Sequence, residues 1–135
     1  MNLIHKKTDY AIQALCYMAK EGRKVSALKL TKELKIAYPV LRSVLQSLTR
    51  RGILRSEKGK NGGFALALPP KKILLGPVIH LFQGDMELTR CVIGKEPCRN
   101  VETCIVRKRV RRVERYAEKE FKSLTIAALT QGHIG

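Results

Sequence analysis

Three cysteines fall within fourteen residues, in the run Cys91-Val-Ile-Gly-Lys-Glu-Pro-Cys98-Arg-Asn-Val-Glu-Thr-Cys104. Glycine and proline between them make a loop that can turn back, so the three thiols can meet at one point. Thiolates are soft donors and suit zinc or an iron–sulfur cluster. Structural zinc sites usually carry cysteine pairs with about two to four residues between them. The gaps of six and five residues here lack that form, which favours a cluster of the 2Fe–2S or 4Fe–4S kind. Cys16 stands apart, among apolar residues at helical spacing, and reads as a small packed side chain. There is no Cys-x-x-Cys, and His5, His80 and His133 show no motif linking them to a nucleophile. The chain therefore does not read as an enzyme.

These thiols need a scaffold, and composition bounds it. A chain of 135 residues suits one domain with an appended arm. Hydrophobic residues make up 44% but aromatic ones only 5%, so aliphatic side chains must build the core. The formal net charge of +16 makes a polyanion the leading partner, nucleic acid before an anionic membrane surface. The charge is uneven. Residues 1–64 carry 14 basic and 4 acidic side chains, residues 65–104 carry 5 and 4, and residues 105–135 carry 8 and 3. The first residues lack a secretory signal, and no apolar run approaches the roughly 18 residues that span a bilayer. A cytoplasmic protein without a membrane partner is expected.

The elements follow from periodicity. Ala11, Ala14, Leu15 and Met18 predict a first helix over about Thr8 to Glu21, stopped by Gly22. Ser26 can cap a second helix with Leu30 and Leu34 facing inward. Pro39 suits the first position of a third helix. Leu41, Val44, Leu45 and Leu48 form its buried stripe, and Gly52 closes it. Its other face carries Arg42, Ser43, Gln46, Ser47 and Arg50. Two short helices, a tight turn and a polar-faced third helix make a helix-turn-helix pattern. Ile53–Glu57 and Phe64–Leu68 then read as strands around Lys58-Gly59-Lys60-Asn61-Gly62-Gly63, a hairpin signal. A hairpin in this place is a wing. The pattern predicts base contacts from Arg42, Ser43 and Gln46, with Tyr38 and Pro39 opening the helix. Arg50 is expected on phosphate, and Lys58, Lys60 and Asn61 on the flanking groove or backbone. Ile73 to Gln83 reads as a short strand and helix broken by Gly76-Pro77. Val106, Val110, Val113, Ala117, Phe121 and Leu124 step by four and three, and the pattern runs on to Ala128. This predicts one long helix from about Ile105 to Leu129, packed on a second copy of the chain.

The expected fold is mainly α with a small β-hairpin. It comprises a winged helix-turn-helix over residues 1–70, a connecting segment and cysteine loop over 71–104, and a dimerisation helix and tail over 105–135. In this order, and in Thr8-Asp9-Tyr10-Ala11, Leu48 through Gly52, the Gly59 to Leu68 wing and Thr89-Arg90-Cys91, the chain resembles the IscR/NsrR group of bacterial winged-helix regulators in the Rrf2 superfamily. The resemblance covers nearly the whole chain. It implies a homodimer that binds double-stranded DNA at a pseudo-palindromic operator, and an iron–sulfur cluster on Cys91, Cys98 and Cys104 whose state tunes that binding. The IscR type places a His three residues after the last cysteine, where this chain has Arg107. The NsrR branch uses an Asp near the N-terminus, supplied by the other subunit, and Asp9 matches it. His5, Glu96 and Glu102 are weaker candidates.

A carboxylate among thiolates makes one corner of a cluster weak. That suits a repressor responding to nitric oxide, redox state or iron and cluster status. Two other readings stay open: a zinc- or thiol-dependent or cluster-free repressor on the same fold, and a constitutive basic nucleic-acid-packaging protein. The latter has no need of an ordered wing and reading helix.

Overall fold

The computed structural model of the chain describes residues 3–84 and 104–131. Helix α1 spans Lys6–Glu21 and ends where Gly22 turns left-handed at φ 68° and returns its N–H to the Met18 carbonyl at 3.0 Å. Only glycine takes that conformation cheaply. Helix α2, Ala27–Leu34, is capped by Ser26, whose Oγ accepts from the Lys29 N–H at 3.1 Å. Helix α3, Tyr38–Arg50, follows after a three-residue turn. Pro39 takes its second rather than its first position. The first turn of a helix has no intrahelical acceptors for its N–H groups, so either position tolerates proline.

The end of α3 sets the direction of everything after it. The Gly52 N–H bonds to the Thr49 carbonyl and the Ile53 N–H to the Leu48 carbonyl, both at 3.0 Å. This double closure consumes orphan carbonyls and turns the chain sharply into the hairpin. Strands β1, Leu54–Glu57, and β2, Gly63–Leu66, pair antiparallel with Leu54 opposite Leu66 and Glu57 opposite Gly63. The strands are shorter than the periodicity suggested, although the Ala67 N–H still reaches the Ile53 carbonyl at 2.9 Å. On its other edge β2 meets the turn before α2. Val25 and Phe64 exchange both backbone hydrogen bonds, at 2.9 and 2.8 Å. The hairpin is thereby a three-stranded wing whose third member is a single residue.

The core is aliphatic. Ala11, Ala14 and Leu15 of α1 and Leu41, Val44, Leu45 and Leu48 of α3 are all fully buried. Each such leucine contributes about 1.5–3 kcal/mol by leaving water. Thr8 is buried too, and its hydroxyl donates to Gln83 Oε1 at 2.7 Å.

The second half departs from expectation in two places. Gly76 and Pro77 do not break a helix; they lie in the first turn of α4, Leu75–Gln83, where proline loses no bond. The strand expected near Ile73 is one antiparallel bridge. The Leu75 N–H reaches the Leu124 carbonyl at 2.7 Å, and the Ile126 N–H reaches the Ile73 carbonyl at 2.9 Å. That bridge is also why the long C-terminal helix is divided. Helix α5 covers Ile105–Lys122, and a separate α6 covers Ile126–Gln131, its first turn capped by Thr125 Oγ1 on the Ala128 N–H. The continuous helix from Ile105 to Leu129 is thus corrected. At ~1.5 Å per residue α5 is about 27 Å long. Its expected seam divides as well. Ala117 is buried and Phe121 and Leu124 pack on the chain's own core, whereas Val106 and Val113 are exposed.

The approach of β2 to Val25 leaves no room at Gly63, where a Cβ would stand 2.6 Å from the Val25 carbonyl oxygen. Gly63→Ala is expected to lower stability by about 1–3 kcal/mol, the usual cost of overpacking, as measured by urea unfolding. An unchanged midpoint would show that the wing shifts freely.

Candidate nucleic-acid interface

Burying the Leu41, Val44, Leu45 and Leu48 stripe forces the opposite face of α3 outward. Tyr38, Arg42, Gln46 and Arg50 then stand in one row at intervals of four residues, all exposed. The row forms a wall of a groove of about 800 Å³. Ser56, Glu57, Lys58 and Gly59 of the hairpin form the facing wall, and Ser26, Ala27 and Leu28 at the start of α2 close one end. A protruding helix face flanked by a hairpin has the shape that enters a DNA major groove while touching backbone on either side.

Arg42 is held in place within it. Arg42 Nη1 donates to Tyr38 Oη at 2.9 Å, and the guanidinium carbon lies 6.0 Å from the tyrosine ring centroid. A guanidinium held at one nitrogen keeps its other donors aimed outward, and it loses less freedom on meeting a base. Glu57 is the acidic group in the groove. Its carboxylate accepts from Lys24 Nζ at 2.9 Å, and this hydrogen bond and charge hold its pKa below the ordinary carboxylate range. It is therefore a neutralised pair rather than a bare negative charge facing phosphate.

Of the residues expected to read DNA, Tyr38, Arg42, Gln46, Arg50 and Lys58 line the groove. Pro39, Ser43, Lys60 and Asn61 are exposed, on the outer surface of α3 and at the hairpin tip. Sequence reasoning missed Leu28, which is 64% exposed and lines the groove. Its signal was its place off the inward Leu30 and Leu34 stripe. An apolar side chain presented there suits a thymine methyl group.

The thiols divide. Cys91 and Cys98 lie outside the described residues, as do Glu96, Glu102 and His133. Cys104 is half-buried at the position just before α5, with its thiol free. Cys16 is half-buried on α1, and burial raises its thiol pKa against the lowering influence of Lys20. A protonated, packed thiol fits the structural role expected of it. Asp9 is exposed in the first turn of α1, where Oδ2 accepts from Gln13 Nε2 at 2.7 Å. Among the described residues, no three His, Cys, Asp or Glu side chains converge on one point. A set of contacts joins the start of α1 to the end of α4. Gln83, at the end of α4, accepts from the His5 N–H at 2.9 Å and from Thr8 Oγ1, and donates to the Leu3 carbonyl at 2.7 Å. The start of α1 is thus fastened to the end of the helix that leads into the cysteines. The donor set, three thiols with one exposed carboxylate, fits an iron–sulfur cluster in its chemistry. Among the described residues, no helix is long and apolar enough to cross a membrane.

The chain is similar to known proteins of one family. Residues 4–132 match the model of the Rrf2 family, described as an iron-dependent transcriptional regulator. An HTH-type transcriptional regulator of Aquifex aeolicus is 33% identical over 123 residues, covering 89% of this chain and 85% of the relative. The HTH-type transcriptional regulator NsrR of Shouchella clausii is 33% identical over 101 residues, covering 73% of this chain and 64% of the relative. Among solved structures, CymR, the global cysteine regulator of B. subtilis, superposes with a TM-score of 0.74 at 20% identity, covering 97% of this chain and 98% of that one.

Proposed function

This chain belongs to the Rrf2 family of transcriptional regulators, and from that premise we propose a cytoplasmic, dimeric repressor whose operator binding is tuned by an iron–sulfur cluster. Proteins of this family bind DNA and are not enzymes. The observation that carries the reading is the row of Tyr38, Arg42, Gln46 and Arg50 facing the wing across one groove. In this reading α3 enters the major groove. Arg42, Ser43 and Gln46 meet base edges, Tyr38 and Pro39 lie at its mouth, and Arg50 meets phosphate. Lys58, Lys60 and Asn61 lie on the flanking backbone or minor groove.

Two copies would pair through the exposed apolar part of α5, where Val106 and Val113 lack cover and Val110 is half-buried. A two-fold pair presents two reading helices and calls for a pseudo-palindromic operator. Cys91, Cys98 and Cys104 would hold the cluster, with Asp9 from the opposite subunit as the oxygen donor. The cluster when bound supplies a redox- and nitric-oxide-reactive centre. The chain's own part is to link it to the reading face. Cys104 immediately precedes α5, and Gln83 ties the other end of the cysteine segment to α1, against which α3 packs. A change in the cysteine segment would therefore bear on both the pairing helix and the reading helix. The fold likeness to CymR favours a second reading, a repressor of this fold that works through thiols without a cluster.

Two measurements test these parts separately. Lys60→Ala is expected to weaken binding to all duplexes alike and to lower the slope of log affinity against log salt by about 0.9 for each phosphate it ceases to neutralise. A changed sequence preference at constant slope would remove the wing from the interface. Protein purified without oxygen should carry iron and sulfide, Cys98→Ala should lose both, and Cys16→Ala should keep both. A Cys98→Ala protein with its full complement would rule out the cluster site and leave DNA binding untouched.

A further inference from the structure

We propose that the outer face of α5 is a second DNA-contacting surface, one that grips sugar–phosphate backbone beyond the groove between α3 and the wing. The inference rests on the DNA-binding reading above and extends it to a face that reading leaves unused. Lys108, Arg111, Arg112, Arg115, Lys119 and Lys122 follow at steps of three, one, three, four and three. At 3.6 residues per turn they fall within an arc of about 100° on the helix surface. That arc is centred opposite Val106 and Val113. All six are exposed, and among the described residues none of their side chains is engaged in an ion pair or hydrogen bond. Glu114, Glu118 and Glu120 lie off the arc.

A helix face that merely meets water gains from alternating signs at spacings of three and four. This one does the reverse. Lys108 faces Arg112, Arg111 faces Arg115, and Arg115 faces Lys119 at those spacings, so each neighbour repels the next. A polyanion relieves that repulsion. No apolar or aromatic side chain falls within the arc, which therefore lacks the buried anchors on which protein partners depend. Phosphate backbone needs none, since cations alone release its counterions. From Lys108 to Lys122 the stripe rises about 21 Å, the length of roughly six base pairs. At its C-terminal end the stripe comes beside a further cation at the end of α3. Lys122 and Arg51, the residue that caps α3, line one cavity of about 470 Å³ beside Gly76.

The test uses the full-length protein and a mixed-sequence duplex of about 40 base pairs, titrated from about 50 to 200 mM salt. Arg111→Gln/Arg115→Gln/Lys119→Gln should lower the salt slope by about 0.9 for each phosphate left without its cation, near 2.7 for each chain. Arg111→Lys/Arg115→Lys, which keeps the charge, should keep the slope. Arg115→Gln alone should lower it by about 0.9 per chain, so the test survives should the triple variant fold poorly. Lys58→Gln/Lys60→Gln serves as the reading-face control. If the wild type binds, and the reading-face variant lowers the slope, but the stripe variants keep it in full, the stripe is not a DNA surface and the proposal is overturned. The same holds if the stripe variants keep the slope and instead lose binding to a poly-glutamate peptide, which assigns the face to an acidic protein. Failure of the wild-type protein to bind any duplex would overturn the functional reading first.

Discussion

The two hydrogen bonds exchanged between Val25 and Phe64 decide where the wing stands. The hairpin leaves α3 through the Gly52 turn, and with that tether alone it could swing. Pairing β2 with the residue just before α2 fixes its second edge to the helix-turn-helix. Gly63 lets the backbones close to a distance that a Cβ would prevent. The facing walls of the groove, Arg42 and Gln46 on one side and Lys58 on the other, are therefore held by backbone, with the exposed Lys24–Glu57 pair adding little in water. The spacing of the two walls thus rests on one residue pair and one missing side chain.

Local chemistry made the first half of the chain legible. Ser26, Gly22 and Gly52 announce their helix ends because capping is settled within a few residues. The α3 stripe announces its polar opposite face for the same reason. Leu28 escaped notice because a lone exposed leucine has no meaning until the groove exists around it. Lys24 and Glu57 escaped because they are 33 residues apart and meet only across the wing. The second half was harder. Apolar spacing runs without interruption from Val106 to Ala128, so one helix was the natural reading. The break after Lys122 comes from tertiary pairing, in which Leu124 and Ile126 give their backbone groups to Leu75 and Ile73. Periodicity carries no sign of that. Of the four expected cluster donors, Asp9 and Cys104 have a described setting.

Charge and apolar surface are sorted along α5 in a way that matters for the whole. The helix is anchored through Ala117 and Phe121, while Ile105, Val106, Val113 and Tyr116 stay exposed. The exposed apolar side chains of α5 are the part of the helix that the proposed pairing would cover. In the proposed reading, pairing and the cysteines are joined through α5, whose first turn follows Cys104.

The central claim is that two copies read one duplex in a sequence-dependent, two-fold manner. Repeated selection of bound duplexes from a randomised pool, using protein purified without oxygen, tests it most directly. The account predicts enrichment of inverted half-sites whose centres lie about 34 Å apart along the helix axis or a multiple of that spacing. A pool that stays random while binding remains tight would contradict it, and would mark the chain as a basic protein that packages nucleic acid without reading it.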